Sequence, residues 1–123
     1  QLLGVTVLTS MGDGDCADLG LLPYSGSADR VGMLVEHGRD CGLTGFVCSP
    51  REITLAKQYA PNAFYLVPGV RPAGADAGDQ QRVGTPQQAV AEGASLVVIG
   101  RPIRDAQDPL VALQQINRQI SMA

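Results

Sequence analysis

Two apolar runs in this sequence stop abruptly on glycine and arginine. One is LVPGVR at residues 66–71, inside the longer stretch LVPGVRPAGADAGDQQR. The other is LVVIGR at residues 96–101. Glycine just past a strand lets a ligand approach the backbone closely, and arginine there supplies a forked, permanently charged donor for phosphate or carboxylate. Two such ends in one chain point to an anionic pocket. A third apolar run, at 2–8, closes on the hydroxyls of Thr9 and Ser10.

Other patterns carry weaker chemistry. Residues 12–17, GDGDCA, fit the G-x-G-x-x-A dinucleotide fingerprint, but two aspartates inside the turn would repel a pyrophosphate. Asp13, Asp15 and Asp18 lack the ligand spacing and closing glutamate of a calcium loop, so they read as the solvated start of a helix. His37 has no nucleophile elbow to serve and reads as an ordinary helix residue. Cys16, Cys41 and Cys48 are odd in number and lie in no metal-ligand spacing, which suits reduced thiols in a cytoplasmic protein. No metal is expected.

The elements that must position these residues follow a repeating pattern. Strands are expected at 2–8, 45–48, 63–67 and 96–99, their near-continuous Val, Leu and Ile content being that of parallel strands buried on both faces. Helices are expected at 16–19 and at 29–41, the latter with Val31, Leu34, Val35 and Cys41 inward. Ser49-Pro50-Arg51-Glu52 predicts a capping box opening a helix to Tyr59, and Thr85-Pro86-Gln87-Gln88 repeats that logic for a helix to Glu92, stopped by Gly93. Asp108-Pro109 starts the last helix, with Leu110, Leu113, Ile116 and Ile120 on its apolar face. Four βα units in succession require right-handed crossovers and a parallel sheet, with ligands bound beyond the carboxyl ends of the strands. Those ends carry Thr9 and Ser10, Ser49, residues 68–71, and Gly100 with Arg101.

Composition narrows the class. The chain has 123 residues, net charge −3, fifteen glycines, eight prolines and no tryptophan. The negative balance disfavours nucleic acid as a partner. No apolar run approaches the roughly 20 residues of a membrane span, and no signal peptide is recognised. The start on Gln1, directly in an apolar run, reads as the middle of a longer gene product.

The segments LLGVTVLTSM, GLTGFVCSPREI, FYLVPGVRPAGADAGDQQRVGTPQQAVAEGASLVVIGRPI and DPLVALQQI, taken in order, resemble the second half of the orotidine 5′-phosphate decarboxylase family. VPGVRPxGxxxGDQxR followed by IGRPI is a long and specific match, and the likeness covers nearly the whole chain. It implies an α/β fold, a (β/α)8 barrel of about 250 residues, with residues 1–123 as its C-terminal half, strands five to eight. It also implies decarboxylation of orotidine 5′-monophosphate to UMP in the cytoplasm, with no metal or organic cofactor, by a homodimer of complete barrels. By the same likeness Thr9 and Ser10 touch ribose or pyrimidine, and Pro68 meets the base. Arg71 belongs to a loop, 69–84, that closes over the ligand. Gln80 reaches toward phosphate, and Gly100 and Arg101 hold it.

The departure from the family is equally informative. Its chemistry rests on alternating lysines and aspartates in a D-x-K-x-x-D-I-P-N-like segment of the first half, and nothing like it occurs in these 123 residues. The sole lysine, Lys57, falls in a helix outside the sheet. The chain is therefore expected to hold the phosphate grip and part of the base pocket, and to need the N-terminal half of the barrel as partner. A non-catalytic phosphate-binding half barrel and a related, metal-using sugar-phosphate decarboxylase are the alternatives.

Overall fold

A computed structural model of the chain describes residues 2–20, 26–72 and 78–122. Four parallel strands, β1 (Gly4–Val5), β2 (Gly45–Val47), β3 (Phe64–Val67) and β4 (Leu96–Val97), lie side by side in sequence order. Helices α1 (Asp13–Asp18) and α2 (Ser27–Asp40) follow β1, and α3 (Ile53–Tyr59) follows β2. Helix α4 (Pro86–Glu92) follows β3, and α5 (Arg101–Arg104) and α6 (Pro109–Ser121) follow β4. This is the expected βα succession, and only α5 had no counterpart in the sequence reading.

The register explains which strand residues are buried. Gly4, Phe46 and Tyr65 are successive partners across the sheet on its helix-covered side. There Phe46 packs against Gly38 of α2, and the Tyr65 hydroxyl donates to the Ala60 carbonyl at 2.7 Å. Val31 and Val35 of α2 and Ile53 and Ala56 of α3 complete this core with no exposed surface. The other row, Val5, Val47, Leu66 and Leu96, runs across the opposite face. Its two ends are open: Val5 is 59% and Leu96 56% exposed. Helices cover one face, and an apolar row remains on the other, as in half of a closed parallel sheet.

Helix boundaries follow their caps. Thr85 accepts from the Gln88 amide at 3.2 Å, and Gly93 ends α4 at φ +106, a left-handed conformation that favours glycine. The Asp108 carboxylate accepts from Leu110 and Val111 at 3.0 and 3.1 Å. The capping box expected at Ser49 does not form as drawn. Ser49 accepts from the Arg51 amide, but its hydroxyl donates to the Glu52 carboxylate, and residues Pro50–Glu52 make a 3₁₀ turn ahead of α3. On α6 only Ile116 is fully buried, while Leu110 and Leu113 face outward, so the predicted apolar stripe is half used. Cys41 is likewise exposed, beyond the end of α2.

Candidate functional site

The carboxyl ends of the strands gather the predicted residues around two adjoining cavities. One, of about 310 Å³, is lined by Thr9, Pro68, Gly69, Arg71, Gln80, Val98, Gly100, Arg101 and Arg104. The other, of about 280 Å³, shares Thr9, Pro68 and Gln80 and adds Ser10, Cys48 and the apolar side chains of Val5, Val7, Leu8 and Val47. All seven residues singled out from the sequence therefore line one or other of these two adjoining cavities. The two differ in character. The first is rimmed by three guanidinium-bearing residues; the second is mainly apolar.

Each wall has a local cause. Gly69, at φ +76, brings the backbone after β3 against Thr9, where a Cβ would come within 3.0 Å of the Arg82 carbonyl and 3.2 Å of Thr9 Cγ2. The Thr9 hydroxyl in turn donates to the Gln80 side-chain oxygen, so the end of β1 and the loop after β3 meet directly. Arg101 opens α5 and pairs with the Asp79 carboxylate. That guanidinium, followed by a hydrogen bond from Gln80, holds the Asp79 carboxyl below the usual carboxylate range. Arg104, one turn on, pairs with Asp105 at 2.5 Å and leans over the same cavity.

Two expectations change in detail. Arg71 sits in the paired stem of its loop and is largely buried. Val70 bridges Gly84, the Arg71 amide donates to the Gly84 carbonyl at 2.9 Å, and the guanidinium donates to the Val70 carbonyl at 3.0 Å. The loop tip expected to close over a ligand, 73–77, lies outside the described residues. Gly100 stands at the start of α5, whose backbone is helical only from Arg101 to Arg104.

Sequence reasoning missed the polar residues beneath the site. Arg82 and Glu52 form a buried ion pair at 2.8 Å. The Arg82 guanidinium also donates to the carbonyls of Val7 and Leu8, both at 2.8 Å, and of Met11 at 3.1 Å. Arg82 closes the GDQxR motif, but nothing in that motif names its buried partner thirty residues earlier. Arg104 was missed because α5 is too short to leave a periodic signal. Cys48, at the floor of the apolar cavity, has its thiol pushed up to about 12, first by burial and then by the nearby Glu52 carboxylate. It is neutral and packs as an apolar side chain.

The competing constellations dissolve. In the GDGDCA turn, Asp15 accepts from the Gly12 amide and Asp13 from the Ser27 amide, both at 2.7 Å. A carboxylate already occupies the Gly12 amide of that turn, and two carboxylates stand where a pyrophosphate would lie. Lys57 lies on α3 with its ammonium against Gly93 at the end of α4, in the helix layer and outside both cavities at the carboxyl ends of the strands. Among the described residues no three His, Cys, Asp or Glu side chains are grouped to hold a metal ion, and no helix is long and apolar enough to cross a membrane.

Comparison with known proteins shows the family and the fold. The sequence model of the orotidine 5′-phosphate decarboxylase / HUMPS family matches residues 1–116. The chain is 48% identical over 120 residues to an orotidine 5′-phosphate decarboxylase of Vibrio cholerae, covering 97% of this chain and 51% of that protein. It is 46% identical over 121 residues to one of Haemophilus ducreyi, covering 98% and 52%. Among solved structures, orotidine 5′-phosphate decarboxylase from Lactobacillus acidophilus superposes with a TM-score of 0.74 at 32% identity, over 98% of this chain and 49% of that one. The chain thus spans about half the length of the curated relatives it matches, and its four βα units correspond to half of a (β/α)8 barrel.

Proposed function

The chain belongs to the orotidine 5′-phosphate decarboxylase / HUMPS family, and from that premise we propose that it supplies the C-terminal half of a barrel that decarboxylates orotidine 5′-monophosphate to UMP in the cytoplasm. The observation that carries this reading is the pairing of the two cavities. Arg71, Arg101 and Arg104 rim one, and an apolar chamber adjoins it across Thr9, Pro68 and Gln80. Arg101 takes the phosphate with the Gly100 backbone beside it. Gln80 spans from phosphate toward Thr9, and Thr9, Ser10 and Pro68 face ribose and base. Charge-assisted bonds from guanidinium to phosphate oxygens supply most of the grip.

The chemistry itself needs a proton donor within hydrogen-bond reach of the carbon that loses carbon dioxide. Lys57, the sole lysine, lies in the helix layer and cannot serve. The lysine and aspartate groups are therefore assigned to the N-terminal half of the barrel, which also covers the open row of Val5, Val47, Leu66 and Leu96. Pairing with the free edges of β1 and β4, the same half removes the exposed strand edges that would otherwise invite association. The complete barrel would then pair with a second one.

The test is complementation. The purified 123-residue chain should release no carbon dioxide from orotidine 5′-monophosphate, and addition of the N-terminal half as a separate polypeptide should restore turnover. Turnover by the chain alone would overturn the division of labour. A complemented barrel that binds UMP but leaves orotidine 5′-monophosphate intact would favour the non-catalytic phosphate-binding alternative.

A further inference from the structure

The backbone between β1 and α1 is held in an unusual way. The Thr6 amide still bonds the Val47 carbonyl of β2 at 3.1 Å; beyond it every carbonyl from Val7 to Met11 accepts from Gln81 or Arg82. The Arg82 guanidinium takes Val7, Leu8 and Met11. The Thr9 carbonyl accepts from the backbone amides of Gln81 and Arg82 at 3.0 and 3.4 Å. The Gln81 side chain donates to the Ser10 carbonyl at 3.0 Å. On its other edge the guanidinium meets Glu52, whose second oxygen accepts from Ser49 at the end of β2. One side chain thus joins the ends of β1 and β2 to the loop after β3.

We propose that Arg82, locked by Glu52, is a positioning residue that sets Thr9 and Gln80 against each other at the mouth of the cavity. The inference rests on the ligand reading given above and deepens it. Thr9 stands in the middle of the clamped carbonyl run, its own carbonyl held by the Gln81 and Arg82 amides, and Gln80 lies two residues before Arg82, so both ends of the Thr9–Gln80 contact adjoin backbone that the guanidinium anchors. A planar fork is needed. Lysine could keep the charge beside Glu52, but its single ammonium cannot reach three carbonyls and a carboxylate together. Loosening the clamp leaves the phosphate arginines in place and lets the two halves of the pocket slide apart.

The experiment is a double-mutant cycle on UMP affinity in the complete barrel, using Arg82→Lys and Gln80→Ala. Each single substitution should raise the UMP Kd about tenfold, and Gln80→Ala should cost less than about twofold once Arg82 is lysine, because the contact it removes is already misplaced. If Arg82→Lys does not fold, the charge-free pair Arg82→Met with Glu52→Leu replaces it in the same cycle. Equal costs for Gln80→Ala in both backgrounds, or an unchanged Kd on loosening the clamp, would overturn the positioning role. Failure of the unsubstituted barrel to bind UMP would sink the ligand reading instead, and this inference with it.

Discussion

Two arginine–carboxylate pairs tie the loop after β3 to the rest of the molecule, and they differ in one respect that decides what each can do. Arg82–Glu52 is closed off, its side chains 6% and 5% exposed; Arg101–Asp79 is open, at 43% and 63%. Water screens the open pair and leaves it worth little, whereas the closed pair has lost its hydration and depends on its protein partners. A pair of the first kind can be given up to a competing anion at small cost. A pair of the second kind cannot be dissolved without disturbing the fold. The loop is therefore fixed at Arg82 and exchangeable at Asp79.

The largest expected effect tests the fixed end. Arg82→Ala leaves the Glu52 carboxylate buried without its cation and takes a donor from each of three carbonyls, of which Leu8 keeps the Met11 amide. It should lower the stability of the complete barrel by about 3–5 kcal/mol, read from urea unfolding. A loss below about 1 kcal/mol would mean that water reaches Glu52 and that the two pairs are of one kind.

The exchangeable end should show the reverse pattern, with binding lost and stability kept. Arg101→Ala should weaken UMP binding by about 1.5–3 kcal/mol, the size of a charge-assisted hydrogen bond. Affinity for uridine, which has no phosphate, should hardly move, and neither should the melting temperature. Equal losses for UMP and uridine in titration calorimetry would make Arg101 a structural residue and erase the contrast with Arg82.

That contrast was only half visible in the sequence. Arg101 was legible because it follows an apolar strand in a glycine-arginine-proline stop, a local pattern. Arg82 was not, because its role depends on Glu52, thirty residues away, and on carbonyls that carry no sequence signature. The fold was read on the same terms. The β2 and β3 strands and the caps at Thr85 and Asp108 are local and appear where expected. Strands expected at 2–8 and 96–99 shrink to Gly4–Val5 and Leu96–Val97. Both have a neighbour on one side only, and from Val7 to Met11 the carbonyls turn to Gln81 and Arg82. Their sequences are those of interior strands, and interior pairing would have to come from the other half of the barrel.

The smallest effect concerns Asp79 itself. Its carboxylate competes with the ligand phosphate for the Arg101 guanidinium, so Asp79→Asn should tighten UMP binding, by about two- to fivefold given the modest strength of exposed pairs. The pH dependence follows from the direction of its shift. Arg101 lowers the Asp79 pKa from the ordinary 3.8, so the contact is fully present above that value and fades only as pH falls through the lower one. Between about pH 5 and 8 the competitor is at full strength, and the phosphate of UMP, which titrates near pH 6, changes both proteins alike. The affinity ratio of Asp79→Asn to the unsubstituted barrel should therefore be flat across that range in titration calorimetry. A ratio that rises or falls within it would show that a group other than Asp79 holds Arg101 in the free protein, and that the open pair is not what the phosphate displaces.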